Sequence, residues 1–357
     1  TLFSLLLRRT VSLSERLLIG ETLNYDNMHG IVRLAKHIII GTLCIEGLGA
    51  AVLFPRFFPR FGFWGGLYKA VFHSVSAFCN AGFDTLSAAD GMSNLGPYAF
   101  DAPVVLTLSA LVLVGGAGFY VWEDLYTRGK RLKLHTKLAL LVSAVLLVLG
   151  TVCFYVFEYH NPRTMLGMSG GDRLLASFLQ SVSTRTSGFH NISQRGLTPS
   201  SKIVAVFLMF IGGSPGSTAG GIKTVTFGVL IFTALAVARG TQNVNIFGKR
   251  VSHSVILRSL TIVMISMFVV ICGVIALSVT ENAPLSDLVF EAVSAFGTSG
   301  LTSGITPRLT NAGKITIIVL MYFGRVGVLT VALGLMRGMN SAAADKIKYP
   351  EEKIMVG

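Results

Sequence analysis

Three stretches of this sequence share one pattern, and together they decide the fold. Residues 72–83 read FHSVSAFCNAGF, residues 178–189 read FLQSVSTRTSGF, and residues 290–301 read FEAVSAFGTSGL. In each stretch a Phe stands ten residues before a Gly, and a Val-Ser pair lies between them. The pair is one residue nearer to the Gly in the second stretch, so that copy is imperfect. A pattern that recurs at intervals of 106 and 112 residues indicates a fold built from tandem repeats.

The composition of the chain places these repeats in a membrane. Of its 357 residues, 52% are hydrophobic and only 13% are charged, and the mean hydropathy is +0.67. Soluble domains carry roughly 25% charged residues. The composition therefore excludes a secreted disulfide scaffold, a disordered chain and an ordinary cytosolic enzyme, and it indicates a polytopic membrane protein. We interpret the net charge of +13 as juxtamembrane anchoring, with no nucleic-acid partner.

Apolar runs divide the chain into six predicted spans, since a spanning helix needs about 20 apolar residues. They cover residues 37–54, 102–122, 138–157, 203–238, 259–280 and 315–336, and the fourth is interrupted in its middle. Basic residues precede the first span, lie in the connections 128–137 and 239–258, and follow the last span. The positive-inside rule predicts that these regions are cytoplasmic. The three patterned stretches then belong to external connections.

The apolar run before each patterned Gly is too short to cross a bilayer. As a helix of 10–14 residues it would be roughly 15–20 Å long, so a re-entrant half-helix is predicted. Its C-terminal end, which carries a partial negative charge, would point at the membrane centre. The residues after it would be non-helical backbone along a water path, where carbonyl groups can replace the hydration shell of a monovalent cation. An external linker with a Gly turn would explain one copy, but three copies in equivalent positions argue against it.

Residues 212–223, which read GGSPGSTAGGIK, interrupt the fourth span. Five glycines and a proline make a continuous helix implausible there, so a loop at membrane depth is predicted. A kink that only serves helix packing is the alternative. Arg325 lies within the last span, where a charge is costly and needs a partner. We expect Arg325 to pair with this loop, through its carbonyls or the hydroxyls of Ser214, Ser217 and Thr218; a lipid-facing arginine is the alternative.

Two motifs typical of enzymes are present in this sequence only in incomplete form. Residues 212–216 fit GxSxG, but the strand–turn–helix context that such a motif requires is absent. Residues 216–224 resemble a phosphate loop, but Ile222 separates the required Gly-Lys pair. The chain is therefore predicted not to be an enzyme. Three lone polar residues, Glu46, His73 and Glu291, are left open between a role at the ion path and that of satisfied interior groups.

The span–half-helix–span unit resembles the subunit of a potassium channel fused in tandem. With one Gly in each strip, it is similar to the Trk/Ktr/HKT superfamily of potassium transporters, and most of all to the Ktr-type membrane subunit. The resemblance implies an all-α polytopic membrane protein with tandem helix–pore-helix–helix repeats around a pseudo-fourfold pore. It also implies an ion-selectivity filter that binds potassium at backbone carbonyls near Gly82, Gly188 and Gly300. The implied filter consists of Asn80, Ala81, Gly82, Phe83, Thr186, Ser187, Gly188, Phe189, Thr298, Ser299, Gly300 and Leu301.

The same resemblance implies that the loop of residues 212–223 is an intramembrane gate beside an arginine of the last repeat. Small, movable residues suit such a plug. The implied gate consists of Gly212, Gly213, Ser214, Pro215, Gly216, Ser217, Thr218, Ala219, Gly220, Gly221, Lys223 and Arg325. The expected function is potassium uptake across the cell membrane. The alternatives are a sodium- or proton-coupled secondary transporter and another monovalent-cation permease, for sodium or ammonium.

Family members have four repeats, and three are visible here. We expect residues 1–30 to hold the end of a missing first repeat and a cytoplasmic linker, and residues 31–130, 131–245 and 246–340 to form the second to fourth repeats. Residues 341–357 would form a cytoplasmic tail. The resemblance further implies a homodimer on a cytoplasmic nucleotide-binding regulatory ring of the RCK-like kind, and the basic loops would contact this ring or anionic lipids. No bound cofactor is expected; potassium is the cargo, and sodium as an activator stays open.

Overall fold

A computed structural model describes residues 31–86, 94–129, 131–241, 243–328 and 330. The predicted remnant of a first repeat (residues 1–30) and the predicted tail (residues 341–357) lie outside these residues. The described part is mostly helical, as predicted, with one short antiparallel hairpin in which β1 (Asn245–Ile246) pairs with β2 (Lys249–Arg250). The helices are α1 (Ile31–Phe78), α2 (Ala102–Ala117), α3 (Phe119–Arg128), α4 (Leu134–Glu158), α5 (Gly170–Ser183), α6 (Pro199–Phe210), α7 (Thr224–Ala238), α8 (His253–Thr280), α9 (Leu285–Gly297) and α10 (Asn311–Val326).

Four helices that follow the predicted external connections begin at a capping side chain. Each cap accepts a hydrogen bond from a backbone N–H that the first helical turn leaves without a partner, which stabilises the helix by about 1 kcal/mol. The caps fix where α2, α5, α6 and α10 start. The pairs are Asp101 with Val104 N (3.3 Å), Ser169 with Asp172 N (3.2 Å), Thr198 with Ser201 N (3.3 Å) and Thr310 with Gly313 N (3.1 Å).

Short helices precede the patterned glycines, as expected for half-helices. The helices α5 and α9 have 14 and 13 residues, and they pack against the longer helices α4 and α8 that come before them. The first copy differs, because its span and its half-helix are continuous within α1. They are separated only by Gly62, whose φ of 69° and ψ of −175° lie outside the helical region. The junction between the span and the half-helix is therefore the kink at Gly62.

Three of the predicted spans are broken. The predicted span 102–122 is wrong as a single helix, because α2 and α3 meet at an angle of 87° at Gly118, whose φ is 95°. The fourth span is interrupted between α6 and α7, as predicted. Helix α10 ends at Val326, where Gly327 has a φ of 92°. Among the described residues, three helices are long and apolar enough to cross a membrane, or four if the bent pair counts as one span.

Apolar and polar side chains are distributed as in a membrane protein. The faces of α4 and α8 that point away from the rest of the chain expose large apolar side chains such as Val148, Val156, Phe268 and Ile275. Hydroxyl and amide groups are instead buried around the patterned stretches, among them Ser76, Gln180 and Ser294. Polar groups enclosed by an apolar exterior fit a lipid environment and an internal polar path.

Candidate ion pathway

The three patterned glycines adopt the same backbone conformation. We call residues 80–83, 186–189 and 298–301 strips 1, 2 and 3. The φ angles of Gly82, Gly188 and Gly300 are 71°, 82° and 74°. Two residues before each Gly, a non-glycine residue also has positive φ: 52° at Asn80, 80° at Thr186 and 52° at Thr298. Such angles are costly for a residue with a side chain, so their recurrence shows that each half-helix ends in the same strained turn.

The strips meet at one point of the molecule, although their glycines are more than 100 residues apart. A Cβ atom added to Gly82 would overlap the carbonyl oxygen of Ser187. One added to Gly188 would lie 2.9 Å from the carbonyl oxygen of Ser299 and 3.8 Å from the Cα atom of Gly300. Backbone therefore faces backbone across the meeting point, and no side chain larger than hydrogen fits at Gly82 or Gly188.

Hydroxyl groups of two half-helices hold the strips in place. Ser76 Oγ donates to the carbonyl of Phe83 at 2.7 Å, and Ser294 Oγ donates to that of Leu301 at 2.5 Å. In the second repeat, Val182 stands at the corresponding distance from the Gly, and the buried Ser183 hydroxyl has no partner among the described residues. The displaced Val-Ser pair seen in the sequence thus removes this bond from strip 2.

A second set of hydrogen bonds ties each half-helix to the chain after its strip. His73 Nε2 accepts from the N–H of Thr85 at 3.3 Å, and Glu291 Oε1 accepts from the N–H of Ser303 at 3.1 Å. Both side chains lie nine residues before their Gly, and both N–H groups lie three residues after it. His73 and Glu291 are therefore anchored interior groups.

The second repeat uses a different pair for this purpose. The side-chain amides of Gln180 and Gln194 exchange two hydrogen bonds of 2.8 Å each. The sequence analysis did not find this pair. Gln180 lies one residue after the position equivalent to His73, and its partner is set by the path of the chain beyond the strip. Only the presence of an amide on an otherwise apolar half-helix could have indicated it.

Charge around the strips has two sources. The half-helices end at Phe78, Ser183 and Gly297, directly before the strips, and the C-terminal end of a helix carries a partial negative charge that favours cations. Arg185, inside the turn of the second repeat, is a buried cation that the sequence analysis missed. Its guanidinium donates to the carbonyl of Ser143 at 3.0 Å and to the hydroxyl of Ser143 at 2.9 Å. This residue joins strip 2 to α4.

Two backbone hydrogen bonds close the glycine loop, residues 212–223, at its base. The N–H of Gly212 donates to the carbonyl of Ile222 at 2.9 Å, and the N–H of Ile222 donates to that of Phe210 at 3.2 Å. These bonds satisfy the backbone where helices α6 and α7 stop. The loop therefore starts and ends at one place and projects as a single unit.

The glycine loop lies against all three repeats. A Cβ added to Gly220 would lie 2.7 Å from the methyl group of Thr298 in strip 3, and the hydroxyl of Thr218 donates to the carbonyl of Phe78 at 3.2 Å. Helix α3 is held to the loop as well, since the N–H of Phe119 donates to the carbonyl of Gly216 at 2.8 Å. The loop therefore lies directly beside strip 3 and the end of the first half-helix.

Cationic side chains bind the carbonyl groups of the glycine loop. The guanidinium of Arg325 donates through Nη1 to the carbonyl of Thr218, and Lys223 Nζ donates to that of Ala219 at 2.7 Å. Arg325 is the penultimate residue of α10, next to the break at Gly327. The hydroxyls of Ser214 and Ser217 bond within the loop region, to Thr224 and to the Ser214 carbonyl, and do not meet Arg325.

Comparison with known proteins gives consistent matches along the chain. Residues 2–347 match the TrkH family, described as a cation transport protein. The potassium/sodium uptake protein NtpJ of Enterococcus hirae is 39% identical over 362 residues, which cover 100% of this chain and 79% of that protein. The Ktr system potassium uptake protein B of Bacillus subtilis is 37% identical, with 100% of this chain and 78% of that protein covered.

A solved structure shares the fold. The crystal structure of the potassium transporter TrkH from Vibrio parahaemolyticus matches with a TM-score of 0.71 at 19% identity, over 90% of this chain and 68% of that one. The fold and the family match together define a membrane transport protein with channel-like repeats, not an enzyme. The chain belongs to the TrkH family of cation transport proteins. The predicted family is confirmed.

Proposed function

We propose that this protein takes up potassium across the cell membrane through a pore whose filter includes strips 1 to 3. The observation that carries the proposal is the convergence of Gly82, Gly188 and Gly300 in one backbone conformation at the ends of three half-helices. Backbone carbonyls at membrane depth can replace the water around a dehydrated monovalent cation. Relatives named as potassium uptake proteins support potassium as the cargo.

The glycine loop and Arg325 act as the gate in this proposal. The loop lies against strip 3 and the end of the first half-helix, and Arg325 adds a positive charge beside it. A positive charge on the ion path raises the barrier for cations in a site of low dielectric constant. Movement of α10 or α3 would shift the loop, because both elements bond to it.

The test is ion flux into proteoliposomes that contain the purified protein. Uptake should be faster for potassium and rubidium than for sodium and ammonium. Flux that does not distinguish potassium from sodium would overturn the proposed selectivity and favour a general monovalent-cation permease. A coupled transporter would be favoured if potassium flux stops when a proton ionophore abolishes the proton gradient, or when the removal of sodium abolishes the sodium gradient. Stimulation by sodium without its transport would assign it the role of activator.

We place the protein in the plasma membrane as a homodimer, with its basic connections on the cytoplasmic side. Helix packing leaves the hairpin residues Lys249 and Arg250 exposed, available to anionic lipids or to a nucleotide-binding regulatory ring. Light scattering of the purified protein should give the mass of two copies, and a monomer would contradict the dimer. To test for the regulatory ring, flux is measured with the ring protein present, with and without nucleotide. If the ring binds at the hairpin, neutral substitutions of Lys249 and Arg250 should abolish the effect of the nucleotide.

A further inference from the structure

A cavity of about 410 Å³ lies between the glycine loop, the first half of α8 and the end of α10. Three cationic side chains line it: Lys223, Arg258 and Arg325. Hydroxyl groups of Ser217, Thr226 and Ser266 also line it, and no Asp or Glu of the described residues does. The cavity thus gathers positive charge and hydrogen-bond donors without a carboxylate to balance them.

Within the part of the chain that the structure describes, the donors around this cavity are only partly used. Lys223 and Arg325 each donate to one neutral backbone carbonyl, although an ammonium has three donors and a guanidinium five. They also lie close enough to repel each other. The ion pairs within the described residues, Arg56 with Asp101 and Lys202 with Asp287, lie elsewhere.

A buried hydroxyl group provides a second, independent observation. Ser266 on α8 is fully buried, and its Oγ has no hydrogen-bond partner among the described residues although it lines the cavity. A buried polar group without a partner costs free energy, because it has lost its hydrogen bonds to water. A ligand with several acceptor oxygens would satisfy Ser266 together with the three cations.

The chemistry of the cavity lining fits a phosphate group. A phosphate offers three or more acceptor oxygens and binds guanidinium groups in a bidentate manner, which matches several donors converging from different elements. The cavity is large enough for a phosphate with a substituent. Arg258 lies in the second turn of α8, in the basic region that the sequence assigns to the cytoplasmic surface, where lipid phosphates also lie.

We propose that this cavity binds a phosphate group, from an anionic lipid headgroup or from a free phosphate compound, and that the bound phosphate promotes opening of the gate. The negative charge of the phosphate would offset the positive charges of Lys223 and Arg325 beside the glycine loop. Its oxygens would also compete for the donors that bind the loop carbonyls. The regulatory half of this inference rests on the proposed function; the binding half does not.

Binding is measured on the full chain without any assay of transport. Native mass spectrometry follows retention of phosphatidylglycerol, and calorimetry in lipid-free detergent follows inorganic phosphate. The variants are Arg258→Gln and Ser266→Ala, and the control is Arg308→Gln, an exposed basic residue outside the cavity in a connection predicted to be external. Loss of one charge-assisted hydrogen bond should weaken binding about tenfold in Arg258→Gln, with the control unchanged.

The outcomes separate the sources and the hypotheses. Weaker phosphatidylglycerol retention in Arg258→Gln and Ser266→Ala indicates a lipid, and weaker binding of inorganic phosphate indicates a free compound. Equal binding by these variants and by Arg308→Gln, or no binding of either probe, overturns the site. Flux in vesicles with and without phosphatidylglycerol, and with and without internal phosphate, then tests regulation. Potassium-selective flux that ignores both probes would overturn the regulatory half and leave the proposed function standing.

Discussion

Glycine is required at the centre of strip 1 for two reasons that act together. The left-handed conformation at Gly82 costs an L-residue roughly 1–2 kcal/mol, and a Cβ atom there would overlap a carbonyl of the neighbouring strip. The backbone would have to move, and the carbonyl positions that bind the ion would move with it. A single methyl group should therefore change ion passage more than it changes stability.

The first prediction concerns this glycine. Gly82→Ala should lower potassium uptake at least about tenfold, because loss of about 1.4 kcal/mol of transition-state stabilisation already has that effect. Rubidium uptake by cells that lack their own potassium transporters measures it. Gly47→Ala is the matched control, since an added Cβ there meets nothing within 4 Å. Normal uptake by Gly82→Ala would show that strip 1 does not bind the ion.

Glu291 anchors strip 3, so its charge should matter for stability and selectivity. Its carboxylate accepts from the N–H of Ser303 and from the hydroxyls of Thr302 and Thr306. Glu291→Gln turns one acceptor atom into a donor and should destabilise the protein by about 1.5–3 kcal/mol while lowering potassium selectivity over sodium. Thermal unfolding in detergent and flux ratios measure both. Glu123→Gln, where no described residue donates to the side chain, should leave both unchanged.

Arg325 tests the gate directly. Arg325→Ala removes a positive charge and the bond to the Thr218 carbonyl, so cation flux through the purified protein should rise. Arg325→Lys retains the charge and should stay close to the unaltered protein if charge forms the barrier. Unchanged flux and unchanged regulation in Arg325→Ala would refute the gating role.

At the scale of residues, the sequence indicated positions better than partners. The glycine of each strip could be found because the repeat returns it at a regular interval. The Gln180–Gln194 pair, the Arg185 contacts with Ser143 and the Thr218 carbonyl as the acceptor for Arg325 could not, since each depends on two segments that only the folded chain brings together.

At the scale of elements, helix breaks are the features that hydropathy does not reveal. Residues 102–122 are uniformly apolar, yet Gly118 turns the chain by 87° and sends α3 toward the glycine loop. Gly62 likewise joins a span to a half-helix without a connection. A glycine in a membrane helix usually serves helix packing. Nothing in the sequence around Gly62 or Gly118 indicates that its φ is positive. The interrupted fourth span was predictable because five glycines and a proline cluster there.

The bend at Gly118 should set the position of the gate. A Cβ at Gly118 would lie 2.6 Å from the Pro215 carbonyl, so Gly118→Ala should displace the glycine loop and raise basal flux. Gly129→Ala controls for backbone strain alone, because Gly129 also has positive φ but nothing within 4 Å of an added Cβ. Flux in proteoliposomes compares them, and equal effects of the two substitutions would count against a contact between bend and gate.

At the scale of the whole molecule, charge predicts how the protein sits in the membrane. Arg250 lies in the hairpin of a basic connection, and Arg308 lies in the connection between strip 3 and α10; both are exposed. In a chain whose four cysteines are replaced, an impermeant maleimide should label Arg308→Cys in intact cells. It should label Arg250→Cys only after permeabilisation. The reverse pattern would invert the orientation.

The unequal anchoring of the three strips has a consequence for how such a protein can change. Strips 1 and 3 use serine hydroxyls, and strip 2 lacks that bond and relies on paired glutamine amides. In a channel assembled from identical subunits, any substitution appears in every subunit at once. Here one codon alters one strip. The three strips can therefore be altered one at a time, by mutation in the laboratory or by gene duplication and drift. One repeat can then specialise while the others maintain the path.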